Sequence, residues 1–353
     1  MSLRSYIKGL PIVGPAAKLA NRARYFLGDM LTHADQRTSV MLRMKHNASW
    51  YVLKNPWSRS RFSSHQRAVP PAQGAFIRDL ATTGVASGTV QQAGIDANDY
   101  GRLREGVEEF ARTSADRIAA ATASYSDSLD LGSLEHNRER FRRFFRDKDE
   151  AKLDDYILKM NPENSVLGSN HPLIRIGLSA PILDVVSAYL KLWPKLIYAD
   201  AWYSIPLDPG KRIGSQRWHR DPEDRQMVKV YVYFSDIDAD AGAMEYVLGT
   251  SNSLGRPGLE IGEWKAAGAH LYPPAELVET TFPVSQRFSC SGPPGTLLFC
   301  DTTGLHRGGI SRKPRVVATW TFVTPASRYQ RRFTVRPDEG VALSEEGRFA
   351  VDF

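Results

Sequence analysis

The chain has 353 residues, of which 42% are hydrophobic, 10% aromatic and 24% charged. These proportions are typical of a soluble globular protein and exclude a disordered or fibrous chain. No run of about 18 apolar residues is present, which excludes a membrane-spanning helix. The two cysteines, Cys290 and Cys300, are too few for a disulfide-stapled fold or a cysteine-rich zinc site. We therefore expect a cytoplasmic protein.

The positive charge is concentrated at the N-terminus. The formal net charge is +7, yet residues 1–70 hold twelve Lys and Arg against two Asp, so the rest of the chain is slightly acidic. Pro70–Pro71 ends this segment and predicts a boundary between a basic N-terminal extension, residues 1–70, and a large domain, residues 71–353.

Apolar residues recur at steps of three and four through Ala16–His33, which predicts an amphipathic helix in the extension. Two interpretations stay open. The basic face contacts an anionic membrane surface or an acidic partner, which would make the protein membrane-peripheral. In the commoner case the helix packs on the domain and its basic face is solvated. Trp50, Tyr51 and Trp57 lie nearby without any known nucleic-acid-binding pattern, so nucleic acid is not an expected partner.

In the domain, predicted helices come first and predicted strands follow. The predicted helices are Ala72–Ala81, Ala97–Ser124, Arg138–Leu158 and Pro172–Trp193, with one early strand at Gly84–Val90. The later strands are Leu196–Ile205, Val228–Phe234, Met244–Val247, Gly295–Cys300 and Arg315–Thr324. Helices followed by many short strands predict an α+β fold built on an all-β sandwich or barrel.

A candidate metal site lies in the strand-rich half. In an extended segment the side chains of His219 and Asp221 point to the same side. They would supply two ligands of the two-histidine, one-carboxylate triad that holds non-haem Fe(II). His306, which follows the apolar run Gly295–Cys300, is the candidate third ligand. Each histidine alone is more typical of a surface or turn position than of a metal site, and only the ordered combination favours a metal.

From Ala72 to Pro325 the chain resembles the phytanoyl-CoA dioxygenase-like family of Fe(II)/2-oxoglutarate oxygenases. The similarity is clearest from Ala199 onward, where five elements appear in the family's order. These elements are Trp218-His-Arg-Asp221, Gly242-Ala-Met-Glu-Tyr-Val-Leu-Gly249-Thr-Ser251, Pro294-Gly-Thr-Leu-Leu-Phe-Cys-Asp301, His306-Arg-Gly-Gly309 and Arg315. Leu248 and Thr250-Ser251-Asn252 depart from the family pattern.

The resemblance implies a double-stranded β-helix, a jelly-roll or cupin-like core, buttressed by helices. It also implies a hydroxylase that uses Fe(II), 2-oxoglutarate and O2 and releases succinate and CO2. His219, Asp221 and His306 would be the metal ligands. Related halogenases carry a small residue in place of the carboxylate, so Asp221 favours hydroxylation.

The resemblance also implies residues that bind 2-oxoglutarate. Arg315 would bind its far carboxylate, because a guanidinium pairs with a carboxylate through two hydrogen bonds. Tyr231 is a candidate for lining the same site, although it is equally typical of a packed core aromatic. Thr319 should share the strand face of Arg315 and could add a hydroxyl to the site. Arg312 is the alternative to Arg315, although Pro314 separates it from the strand.

The substrate is not encoded in a recognisable motif. Trp218, Tyr203 and Tyr233 are candidates for contacting it, and each is also typical of a packed core aromatic. A small molecule and a lipid- or carrier-linked group stay open as substrates. Two further functions stay open: a cupin-like metalloprotein that does not use 2-oxoglutarate, and a non-catalytic binding protein recruited by its basic N-terminus.

Overall fold

The computed structural model describes residues 53–65, 68–124, 157–206, 212, 214–251 and 272–352, with backbone alone for 119–124. The predicted helix at Ala16–His33 and nearly all of the one at Arg138–Leu158 lie outside these ranges. Residues 54–353 form one compact unit. The boundary expected at Pro70 stays a prediction.

Two antiparallel sheets and a short parallel pair organise the described strands. The strands are β1 (Val85–Thr89), β2 (Ile157–Lys159), β3 (Ser165–Gly168), β4 (Lys195–Ser204), β5 (Met227–Tyr233), β6 (Met244–Val247), β7 (Arg287–Cys290), β8 (Thr296–Cys300), β9 (His306–Arg307), β10 (Arg315–Val323) and β11 (Phe333–Arg336). The larger sheet has the order β1-β8-β5-β10-β4-β2, the smaller sheet has the order β7-β6-β9, and β11 pairs with β3 in parallel.

The chain alternates between the two sheets as it proceeds. It passes from β4 to an isolated bridge at His219 that extends the smaller sheet beside β9, and then returns to β5. β6 and β7 lie in the smaller sheet, β8 in the larger, β9 in the smaller and β10 in the larger. This alternation is the topology of a double-stranded β-helix, so the predicted α+β jelly roll is confirmed.

Helices cover the outer face of the larger sheet. The described helices are α1 (Pro56–Ser64), α2 (Pro71–Thr83), α3 (Val90–Ala93), α4 (Ala97–Ser124), α5 (Pro172–Gly177), α6 (Ala180–Leu190), α7 (Ala275–Thr281) and α8 (Glu345–Val351). Of these, α7 packs beside the smaller sheet instead, where Val278 contacts Trp218, Val247 and Leu305. Alternate strand residues such as Val230, Phe299 and Trp320 face the helices and form the main core with Leu103 and Ile174. The other strand face is therefore turned toward the smaller sheet.

Most predicted elements are confirmed, with two corrections. The helix expected over Pro172–Trp193 is two helices, because Pro181 has no N–H to donate to the carbonyl four residues earlier and a new helix begins at Ala180. Ile157 and Leu158, expected at the end of a charged helix, lie in β2 and pair with β4. Among the described helices, none is long and apolar enough to cross a membrane.

Helix α1 packs against the rest of residues 54–353 although its sequence lies in the basic segment. Ser58 donates a hydrogen bond from Oγ to the Trp193 carbonyl at 2.6 Å, and the Ala326 N–H donates to Asn55 Oδ1 at 3.0 Å. The Trp57 and Phe349 rings lie 5.0 Å apart. The predicted contact of residues 1–70 with an anionic membrane or an acidic partner stays a prediction.

Candidate metal centre

His219 and His306 are joined by the backbone. The His219 N–H donates to the His306 carbonyl at 2.9 Å, and the His306 N–H donates to the His219 carbonyl at 3.0 Å. The Asp221 N–H continues the pairing by donating to the Thr302 carbonyl at 2.8 Å. The segment that carries His219 and Asp221 is thus extended, as predicted, although it is too short to form a regular strand.

The three predicted ligand residues converge on one point. Their ligand atoms all lie within 4.8 Å of one another. The Nε2 of His219 lies 3.7 Å from Asp221 Oδ1, and the Nε2 of His306 lies 3.6 Å from Asp221 Oδ2. Two imidazoles and one carboxylate in this arrangement form a donor set suited to non-haem Fe(II).

Backbone carbonyls fix the tautomer of both imidazoles. The Nδ1 of His219 lies 2.8 Å from the Arg217 carbonyl, and the Nδ1 of His306 lies 3.0 Å from the Gly304 carbonyl. Because a carbonyl only accepts, Nδ1 carries a proton in each ring, which leaves Nε2 as the nitrogen that can bind a metal. Both Nε2 atoms face Asp221, which is how metal-binding histidines are oriented.

The charge states of the triad also suit a metal. Burial, assisted by the adjacent His219, lowers the pKa of His306 to about 3, so this imidazole is neutral at physiological pH. Burial alone would raise the pKa of Asp221, but Lys229 and the two histidines outweigh it and hold the pKa below its ordinary value. The site thus offers the neutral imidazole of His306 and the ionised carboxylate of Asp221.

Lys229 is a site residue that was not predicted. Its Nζ lies 2.7 Å from Asp221 Oδ2 and 3.6 Å from Glu223 Oε1. Burial would lower the pKa of Lys229, but the two carboxylates raise it above its ordinary value, so the ammonium is retained. One signal was available in the sequence: Lys229 is the charged residue of an apolar strand and shares a face with Tyr231 and Tyr233.

A buried hydrogen-bond network holds the turn that delivers His306. Tyr246 donates from its hydroxyl to the Asp301 carbonyl at 2.9 Å. The Asp301 carboxylate accepts from the Tyr189 hydroxyl at 2.7 Å and from Thr303 Oγ1 at 2.6 Å. A Cβ added at Gly304 would lie 2.0 Å from the Tyr246 hydroxyl oxygen, so glycine is required there by close approach.

Arg307 ties the strand of the distal histidine to helix α7. Its guanidinium donates to both carboxylate oxygens of Glu245, at 3.1 and 3.0 Å, and to Glu279 on α7 at 2.7 Å. The guanidinium also lies 4.3 Å from the centre of the Trp218 ring. Trp218 is buried in a small cluster with Leu305, a placement that does not support its predicted contact with substrate.

Tyr231 and Thr319 lie side by side on the inner face of the larger sheet. They are directly paired across β5 and β10, and Asp200 on β4 is paired with Thr319 on its other side. Thr319 is fully buried and its Oγ1 has no hydrogen-bond partner, while burial raises the pKa of Tyr231. Tyr233 lies on the same face, and its hydroxyl donates to the Cys290 carbonyl at 2.6 Å.

Arg315 begins β10 on the same inner face, four residues before Thr319. Its guanidinium donates to the Gly242 carbonyl and, through Nε, to Ser204 Oγ at 3.3 Å. The alternative, Arg312, is largely exposed and lies 3.5 Å from Asp240. Roles of Arg315, Tyr231 and Thr319 in binding a cosubstrate stay predictions.

Tyr203 lies on the other side of the sheet. It belongs to the helix-covered core, whereas its neighbour Ser204 contacts Arg315 on the inner face. Successive residues of a strand point to opposite faces, so the tyrosine is turned away from the triad. This placement does not support the substrate contact predicted for Tyr203.

The fold and the site together define a jelly-roll protein in which two histidines and one carboxylate form a candidate metal site. No protein-family model matches the chain, and no curated protein sequence matches it. Similar solved structures include the non-haem α-ketoglutarate-dependent epimerase SnoN from nogalamycin biosynthesis, at 13% identity and TM-score 0.41 over 72% of this chain and 84% of SnoN.

Two further solved structures have comparable similarity. AviO1 from Streptomyces viridochromogenes Tue57 has 14% identity and TM-score 0.40, covering 74% of this chain and 100% of AviO1. EctD from S. alaskensis, solved with 2-oxoglutarate and 5-hydroxyectoine, has 13% identity and TM-score 0.41, covering 77% of this chain and 92% of EctD. These identities and TM-scores are too low to assign an activity to this chain.

Proposed function

We propose that this protein is an Fe(II)- and 2-oxoglutarate-dependent oxygenase that hydroxylates a small molecule or a lipid- or carrier-linked group. The observation that carries the proposal is the convergence of His219, Asp221 and His306, with both Nδ1 atoms held on backbone carbonyls. Three protein ligands on one face of the metal leave positions for a chelating cosubstrate and for O2.

The residues fit the metal. Both imidazoles present Nε2 toward the ionised carboxylate of Asp221, and two histidines with one carboxylate are the donor set of non-haem iron oxygenases. Bound Fe(II), with 2-oxoglutarate and O2, would supply the oxidising chemistry and release succinate and CO2. The chain's contribution is to hold the ligands in a buried site and to orient the organic cosubstrate.

The proposed cosubstrate site is the inner face of β5 and β10. Arg315 supplies a permanent cation for the far carboxylate of 2-oxoglutarate. Thr319 has a buried hydroxyl without a hydrogen-bond partner, which is a costly feature unless a ligand completes it. Tyr231 is paired directly with Thr319 and lines the same surface. These observations support 2-oxoglutarate over a metal centre that acts without it.

The test is turnover of 2-oxoglutarate by purified protein loaded anaerobically with Fe(II). On addition of O2 we expect succinate to form slowly, and a library of small-molecule and lipid substrates to contain compounds that accelerate it. The cupin-like metalloprotein would instead be favoured if the protein binds the metal but forms no succinate, and if Arg315→Ala binds the metal as well as the wild type does. Failure to bind a divalent metal would overturn the proposal.

A further inference from the structure

A buried ammonium contacts the metal-binding carboxylate directly. Lys229 Nζ lies 2.7 Å from Asp221 Oδ2, and the Lys229 side chain is only 14% exposed. Lys229 lies on the inner face of the larger sheet, two residues before Tyr231 on β5. It is paired with Thr321 on β10, just as Tyr231 is paired with Thr319. The ammonium therefore lies at the centre proposed to take both the metal and the cosubstrate.

Glu223 balances part of this charge. Its Oε1 lies 3.6 Å from Lys229 Nζ, and its side chain is 17% exposed. The segment from Asp221 to Glu223 thus presents two carboxylates to one ammonium in a largely water-excluded site. Charges at such distances interact strongly, because the effective dielectric constant near buried groups is far below that of water.

A metal ion bound at the triad would share Asp221 with Lys229. The ammonium repels a divalent cation that binds the same carboxylate, and it attracts an anion that approaches the metal. These two effects have opposite signs. The Lys229 side chain should therefore lower the affinity for the metal alone and raise the affinity of the metal-loaded site for an anionic chelator.

We propose that Lys229 is a positioning residue that couples the two binding events. Acting through Asp221, it weakens binding of the metal alone and strengthens binding of the dianionic cosubstrate to the metal-loaded protein. This inference rests on the proposed function. By thermodynamic reciprocity, 2-oxoglutarate then raises the affinity for the metal by the same factor as the metal raises the affinity for 2-oxoglutarate.

Two charge-changing variants test the proposal with opposite expected signs. Lys229→Met removes the positive charge and keeps the length of the side chain. We expect it to bind Ni(II) alone about tenfold more tightly and 2-oxoglutarate about tenfold more weakly, the order of effect that one nearby charge exerts. Glu223→Gln removes a negative charge and should shift both affinities the other way.

Calorimetric titrations of the full chain with Ni(II), which substitutes for oxidisable Fe(II), measure both affinities without turnover. Lys229→Arg retains the charge and should keep the wild-type order of affinities. Lys159→Met is the matched control, since Lys159 is 19% exposed and lies 3.3 Å from Glu163 on the sheet edge. We expect it to change neither affinity.

The outcomes separate the inference from the proposed function. The inference is overturned if Lys229→Met and Glu223→Gln shift the affinity for Ni(II) in the same direction. It is also overturned if both variants leave the affinity for 2-oxoglutarate unchanged, since Lys229 would then have only a structural role. If Lys229→Met does not fold, as judged by circular dichroism, the sign of the shifts in Glu223→Gln decides. Wild-type protein that binds Ni(II) but no 2-oxoglutarate refutes the proposed function itself.

Discussion

The imidazoles of His219 and His306 lie with their ring centres 4.2 Å apart, although 87 residues separate them in the chain. Their backbones exchange two hydrogen bonds, which makes them opposite members of one antiparallel pair. Side chains opposite each other in such a pair point to the same side of the sheet. The sheet therefore places both nitrogens on the side occupied by Asp221.

Removal of the carboxylate should abolish the activity. We expect Asp221→Ala to lose 2-oxoglutarate turnover and to bind Ni(II) at least about tenfold more weakly. Changes to residues that only hydrogen-bond to metal ligands already weaken metal binding by this factor, so loss of a ligand should cost no less. Asp240→Ala, an exposed change, is the control and should behave as wild type. Full 2-oxoglutarate consumption in Asp221→Ala would show that Asp221 is not a ligand.

The two neighbouring arginines should respond differently. Arg315→Ala is expected to raise the KM for 2-oxoglutarate by about 10- to 100-fold, since hydrogen bonds to charged groups contribute about 1.5–3 kcal/mol. Arg312→Ala should leave the KM unchanged, because Arg312 is exposed and lies against Asp240. Steady-state kinetics of succinate formation distinguish them. An effect of Arg312→Ala equal to that of Arg315→Ala would contradict the assignment.

The turn before His306 should not tolerate a methyl group. A Cβ at Gly304 would meet the buried Tyr246 ring, with its hydroxyl oxygen at 2.0 Å, so Gly304→Ala should destabilise the protein by about 1–3 kcal/mol. It should also weaken metal binding, because the Gly304 carbonyl holds His306 Nδ1. Urea denaturation and metal titration measure the two effects.

Gly101→Ala is the matched control for this change. Gly101 lies within α4, and a Cβ there meets nothing within 4 Å. Alanine should stabilise that helix by about 0.5–1 kcal/mol relative to glycine. Equal effects of the two substitutions would show that close packing at Gly304 is not required.

Stability should depend on pH through Asp200. Burial raises the pKa of this carboxyl to about 6, against its hydrogen bonds from Asn161 and Ala201, which lower it. Between about pH 4 and pH 6 the folded protein holds a proton that the unfolded chain has lost, so stability falls as the pH rises through this range. Two pKa units correspond to a loss of about 3 kcal/mol.

Asparagine at position 200 cannot titrate. The stability of Asp200→Asn relative to wild type should therefore improve between pH 4 and pH 7, as measured by urea denaturation of the metal-free protein. Asp240→Asn, which makes the same change at an exposed carboxylate, is the comparison. If Asp200→Asn and wild type differ in their free energy of unfolding by the same amount at pH 4 and pH 7, ionisation of the buried Asp200 carboxyl does not cost stability.

Features encoded by local periodicity were predictable. The helix at Ala97–Ser124 and the strand at Met244–Val247 have the bounds expected of them, because their apolar residues recur at the periods of a helix and a strand. The position of His219 and Asp221 on one side of the chain is likewise local, since residues two apart in an extended segment point to the same side. The break at Pro181 is also encoded locally, because proline has no N–H to donate, although the apolar run around it predicts one continuous helix.

Long-range contacts were not predictable from the same patterns. The position of Tyr203 shows this, because an aromatic residue suits either face of a buried strand and only the packed sheet decides which face it takes. Arg307 could not be assigned to Glu279 for the same reason, as the two residues lie on different elements.

By itself, the sequence determined the kinds of groups available: two imidazoles, one carboxylate and a guanidinium at the start of a strand, with strands of the right length to carry them. Only the tertiary structure decided that His306 lies opposite His219 and that Lys229 contacts Asp221. Such neighbours are set by strand pairing between segments far apart in the chain. Pairing of this kind depends on how the whole sheet closes, which no local pattern of residues specifies.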